Sequence, residues 1–171
     1  IMNLSYSQDG GYTWNLPLSE PAGVNRGGEV AVATDASAIV WSPEITVVYS
    51  LDLGGNWTPS AGIPASARIE SDRVNPDTFY GYANGNFYRS EDGGATFATT
   101  ISAGWPSTAS VKFKAMPGIE GDLWLAGGND ETGVYGLWHS TDGGDSFARL
   151  VNVEKADVVG FGAAVLGADY M

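Results

Sequence analysis

One pattern occurs four times in this chain: Ser-x-Asp-x-Gly-x, then Thr, Ser or Asn, then an aromatic residue. The copies are Ser7–Trp14, Ser50–Trp57, Ser90–Phe97 and Ser140–Phe147. They recur every roughly 40–50 residues, the period of an array of supersecondary units. Each residue type has a mechanical reason. An Asp in a tight turn accepts hydrogen bonds from nearby backbone N–H groups, and glycine permits positive φ. The hydroxyl closes the turn locally, and the aromatic leaves it as an inward packing anchor. Asp9, Asp52, Asp92 and Asp142 are therefore read as turn residues rather than catalytic carboxylates or metal ligands. Trp14, Trp57, Phe97 and Phe147 are read as the plugs of those turns.

Short β-type runs flank the boxes, and the box itself matches the Asp-box, or BNR repeat, of β-propeller proteins. The expected fold is all-β: a propeller of four-stranded antiparallel blades whose third and fourth strands are joined by the box. The whole of 1–171 reads as a single propeller segment. Complete blades are expected at approximately 29–59, 68–99 and 111–151, with a partial blade at 1–16 and a first strand of a further blade at 157–162. Propellers close a ring of four to eight blades. Exposed sheet edges and apolar blade faces favour association, so a missing polypeptide or a second copy is expected to complete the ring. A small four-bladed ring closed by the two ends is the other arrangement.

Composition limits the chemistry. Glycine accounts for 24 residues and aromatics for 6 Trp, 8 Tyr and 6 Phe, a mixture suited to short strands and tight turns. No segment sustains helical apolar spacing. Eight basic residues against 20 acidic give a net charge of −12, which excludes a nucleic-acid or anionic-membrane surface. The absence of cysteine removes disulfides, thiol catalysis and Cys-type zinc sites. A single histidine, His139, leaves little for a histidine-built metal site or a Ser-His-Asp triad. No cofactor and no metal are expected. There is no apolar run long enough to span a membrane, and no signal-peptide pattern opens the chain.

Several stretches carry more than a box. Ser71–Tyr80 followed by Asn84–Gly94, Gly118–Ala126, Gly136–Gly144, Ala156–Gly162 and Gly27–Ala31 together resemble the C-terminal propeller region of the xyloglucanases of glycoside hydrolase family 74. The resemblance covers essentially the whole chain. It implies two seven-bladed propellers enclosing a cleft in the complete enzyme, inverting cleavage of the β-1,4-glucan backbone of xyloglucan, and an extracellular location. Inversion uses one carboxylic acid and one carboxylate. The aspartates that serve in the family have no counterpart here, so no catalytic residue is carried over and the chain alone is expected to be inactive. A stand-alone module for xyloglucan or another β-glucan is the alternative; a structural or protein-interaction propeller is the second. A sialidase reading would need an arginine triad, and the five arginines do not supply one beyond motifs already explained.

A sugar is expected on the face opposite the boxes, where the strand 2–3 turns and strand 4–1 connections lie. Neutral glycans need aromatic platforms and polar partners for hydroxyls. Trp105, Trp41 and Tyr135 are the candidate platforms. Arg26, Glu44, Asn84, Asn129 and Asp130 are the candidate polar partners.

Overall fold

A computed structural model describes residues 4–17, 19–24, 27–101, 111–129 and 133–163. The described residues contain twelve strands and no helix. The first blade comprises β1 (Glu29–Val32), β2 (Ile39–Ser42), β3 (Val48–Ser50) and β4 (Thr58–Pro59). The second comprises β5 (Arg68–Ser71), β6 (Phe79–Ala83), β7 (Asn86–Ser90) and β8 (Ala98–Ile101). The third comprises β9 (Lys112–Ala115), β10 (Leu123–Asn129), β11 (Val134–Ser140) and β12 (Ala148–Arg149). Each blade is an antiparallel four-stranded sheet in simple sequence order. The chain is an all-β propeller segment with three complete blades.

All four boxes close in the same way. The leading Ser donates its hydroxyl to the Asp at 2.8 Å in each copy. The glycine four residues after that Ser donates its N–H to the same hydroxyl at 2.7–3.0 Å. The Asp accepts the backbone N–H of Thr13, Asn56, Thr96 or Ser146 at 2.8–2.9 Å. Its second oxygen accepts the side chain of that same residue at 2.5–2.7 Å. Sequence alone thus determines a complete local network.

The blades stack through two-sided strands. In β6, side chains alternate so that Phe79 and Ala83 join the apolar cluster of Val40, Val47 and Ile69. Tyr80 and Tyr82 face the other way, into the cluster of Phe113, Leu123, Leu125 and Trp138. Both faces of this strand are buried. Close stacking requires glycine where a box meets the blade before it. A Cβ on Gly94, at φ +89°, would lie 2.2 Å from Val40, and one on Gly144, at φ +87°, 2.3 Å from Phe87. A second contact repeats alongside. Ser19, Ser60 and Thr100 each donate a hydroxyl at 2.7 Å to the carbonyl of Gly55, Gly94 and Gly144, respectively. One hydroxyl therefore reaches the following box at each junction, from the 4–1 connection for Ser19 and Ser60 and from within β8 for Thr100.

The innermost strands are linked by charge. Glu29 of β1 pairs with Arg68 of β5, and Glu70 of β5 pairs with Lys114 of β9 at 2.8 Å.

The ends differ from expectation. The first box is joined by a single bridge, Tyr6 to Asn15, rather than by two strands. Trp14 is 65% exposed and so does not plug a core; no sheet lies behind its turn among the described residues. Among the described residues, 157–162 form no strand and pair with none. The third blade extends further than its sequence indicates. The β10–β11 ladder runs to Asn129 opposite Val134, which takes Gly127, Gly128 and Tyr135 into paired strand.

Candidate carbohydrate-binding site

The face opposite the boxes carries a cavity of about 520 Å³ between the first two blades. Its volume falls within the usual range for small-ligand sites. Three kinds of segment build it. The end of β2 supplies Ser42, the β2–β3 turn Glu44, the 4–1 connection Ser66, and the β6–β7 turn Asn84. Glu29, Arg68 and Tyr82 also line it. Two of the expected polar residues, Glu44 and Asn84, are thereby brought to one cavity.

Local sequence explains the shape. Asn84-Gly85 is a two-residue hairpin turn with φ of +52° and +78°, the type I′ geometry that suits the twist of flanking strands. Asn tolerates this left-handed region better than most residues. Ser66 sits at φ +59°, an uncommon conformation for a residue with a Cβ. Its N–H donates to the Pro43 carbonyl at 3.3 Å, tying the connection to the β2–β3 turn.

The electrostatics are mixed. Glu29 and Arg68 are each a little over one-third exposed, and the Glu29 carboxylate also accepts the Ile69 N–H at 3.2 Å. Glu44 is exposed at the rim. Burial pushes the Tyr82 phenol up to about 12, so it stays protonated at neutral pH. The cavity walls thus offer hydroxyls, an amide, a carboxylate and a compensated cation.

Trp41 does not serve as a platform. It is 2% exposed, its Nε1–H donates to the Gly27 carbonyl at 3.1 Å, and its ring packs edge-on against Trp57 with centroids 5.8 Å apart. Two-sided blade packing claims the ring, and Trp41 belongs to the core. Tyr135 and Asn129 lie on the longer hairpin of the third blade. The Tyr135 hydroxyl donates to Asp157, and the Lys155 ammonium sits 5.7 Å from its ring centroid. Tyr135 thereby holds the segment after β12 against this hairpin. Trp105, Arg26 and Asp130 lie outside the described residues.

Sequence reasoning passed over Ser42, Ser66, Glu29, Arg68 and Tyr82 as site residues. Ser42 and Ser66 fell within the loops marked for that face; nothing local distinguishes the others, whose roles depend on neighbours 39 residues away, as for Glu29 and Arg68.

Two further carboxylates, Asp72 and Asp122, are buried and structural. Asp72 is buried and accepts four hydrogen bonds, from Val74 N–H, Asn75 N–H, the Tyr80 hydroxyl and Gly121 N–H. Asp122 accepts the indole N–H of Trp124 and meets the His139 ring, each at 2.9 Å. Among the described residues, no group of three metal-ligating side chains converges.

Comparison with known proteins agrees with this architecture. The BNR/Asp-box repeat family model matches residues 5–16. The chain is 51% identical over 166 residues to a xyloglucanase from Paenibacillus sp, covering 96% of this chain and 16% of that enzyme. It is 44% identical over 172 residues to the xyloglucanase Xgh74A of Acetivibrio thermocellus, covering all of this chain and 20% of that enzyme. The chain resembles a segment of the GH74 xyloglucanases. In structure, the Niastella koreensis GH74 enzyme superimposes with a TM-score of 0.80 at 31% identity, covering 98% of this chain and 24% of the enzyme. The resemblance to GH74 is thus continuous along the chain, yet the chain spans only about a fifth of the xyloglucanases it matches.

Proposed function

We propose that this chain forms part of the second, C-terminal propeller of a secreted, xyloglucan-active endo-β-1,4-glucanase. Its role there is to contribute glycan-binding surface, and the catalytic aspartates belong to other parts of the enzyme. The observation that carries this reading is an alignment to xyloglucanases that spans 96% and 100% of the chain at 51% and 44% identity, boxes and connections included. The polar cavity on the face opposite the boxes supports it.

The chain provides no acid/base pair of its own in this reading. The box aspartates are committed to turns, and Asp72 is committed to its four donors. Incubating the isolated chain with xyloglucan is expected to release no reducing sugar; release above that of a heat-denatured sample would overturn the assignment of catalysis elsewhere. Affinity electrophoresis in a xyloglucan gel is expected to retard the chain. Mobility unchanged from a polysaccharide-free gel would instead favour a structural or protein-interaction propeller.

A further inference from the structure

We infer that Asn84 is a site of spontaneous covalent modification, where the Gly85 nitrogen closes on the Asn84 side chain and its amide becomes a carboxylate. The inference stands apart from the glycan-binding reading and concerns the chemistry of the β6–β7 turn itself.

Three observations single this residue out. Asn84 is the asparagine of the chain that precedes a glycine; the others precede Leu, Arg, Trp, Pro, Phe, Asp or Val. Glycine has no Cβ to crowd its own nitrogen, so that nitrogen can approach a neighbouring carbonyl carbon. Second, Gly85 takes no part in the ladder. The two-residue turn is closed by the Ala83–Asn86 pair, and no hydrogen bond engages the Gly85 N–H among the described residues. Third, Asn84 is exposed, and its side chain has no hydrogen bond among the described residues. Asn56 and Asn75 differ on this point. Asn56 donates its side-chain amide to Asp52 at 2.7 Å, and Asn75 donates its own to Glu120 at 2.8 Å.

The chemistry needs only water and base. Loss of its proton makes the Gly85 nitrogen a nucleophile toward Asn84 Cγ. The new N–C bond closes a cyclic imide, and the side-chain nitrogen takes up a proton from solvent and leaves as ammonia. Water then opens the imide at either carbonyl, which restores the ordinary backbone or routes it through the side chain. Both products carry a carboxylate in place of the amide, and nothing is oxidised or reduced. The turn must loosen for nitrogen and side chain to meet, and an exposed turn can open locally at a cost well below global unfolding. The Asp-Gly pairs of the boxes are poorer sites. Asp9, Asp92 and Asp142 hold both oxygens in hydrogen bonds, and an anionic carboxylate accepts a nucleophile poorly. Asn84 lines the cavity between the first two blades together with Glu29, Glu44 and Arg68. Its conversion adds a negative charge to that lining and removes a hydrogen-bond donor from it.

The test incubates the folded chain in mildly alkaline buffer and follows it by isoelectric focusing, intact mass and peptide mapping. A species more acidic by one charge is expected to accumulate, heavier by the exchange of an amide nitrogen for a hydroxyl oxygen. The change should map to the peptide holding Asn84. Its rate should rise with pH, because the attacking nitrogen must first lose its proton. Two variants sharpen the outcome. Asn84→Gly places a residue suited to φ +52° in the turn and is expected to abolish the acidic species. Asn84→Asp should focus with that species from the start and gain no further charge. A folded parent whose charge stays constant over the time in which its urea-unfolded form converts would overturn the proposal. An acidic species that persists in Asn84→Gly, grows in Asn84→Asp or maps to another asparagine would overturn it as well.

Discussion

Leu53 occupies the place that glycine holds in the other three boxes. Gly10, Gly93 and Gly143 take φ of +72°, +71° and +69°, and Leu53 follows at +56°. A left-handed conformation costs an L-residue about 1–2 kcal/mol, partly offset by the entropy glycine loses on folding. Leu53 is also 41% exposed, so little packing is lost with its side chain. Leu53→Gly is expected to stabilise the chain by about 0.5–1 kcal/mol, read as a higher denaturant midpoint at unchanged slope. A second residue-scale consequence concerns acid. Asp9 is held down to about 2 by the Thr13 side-chain hydrogen bond first and the Thr13 N–H next. The Asn56 N–H and side chain lower Asp52. Burial pushes Asp92 and Asp142 upward, but hydrogen bonds from Thr96 and Ser146 outweigh it. A carboxylate depressed in the fold contributes stability above its unfolded pKa and loses it as pH falls toward the folded one. Melting temperature should therefore fall between about pH 4 and about pH 2, and Asp92→Asn with Asp142→Asn should flatten that fall.

At the scale of elements, blades are joined by contacts that no local pattern announces. The hydroxyls of Ser60 and Thr100 reach box carbonyls 34 and 44 residues further along. Ser60→Ala and Thr100→Val should each cost about 1 kcal/mol in equilibrium unfolding. The effects should add, because different blade pairs are involved. The boxes and the strands entering them were legible in the sequence because their chemistry closes within eight residues. β7, Asn86–Ser90, runs straight into the third box at Ser90 and is an example. The extension of β10 through Gly127 and Gly128 was not, since glycine carries a turn signal even when a partner strand holds it extended. Trp41 was misread for a related reason. A Trp beside a Ser-Pro turn has the local signature of a loop edge, whereas its burial depends on Trp57 and Gly27. Glu44 and Asn84 lie on the face expected from the sequence because turn position alone fixes the face they occupy.

Across the whole molecule, apolar surface is unevenly finished. Tyr12, Trp14 and Leu16 on the first hairpin are exposed, as is Val151 after the last strand. Pro59 lies on the outermost strand of the first blade, where it denies a neighbour one ladder donor. The isolated chain is thus expected to self-associate through its ends rather than its outer edges. Light scattering should show species larger than one chain, and Trp14→Ser with Leu16→Ser should shift the population toward monomer. A parent chain that is monomeric at all concentrations would contradict this. The contacts between box glycines and the preceding blade also give the stack a direction. Gly94 enters beside Val40 and Gly144 beside Phe87, always from the later blade into the earlier one. Such a stack behaves like nested cups: a unit can be appended whenever its own box fits the rim already present. Removing a middle unit would force one blade's box against a rim shaped for another, so whole-blade deletions should be tolerated at the trailing end and punished inside.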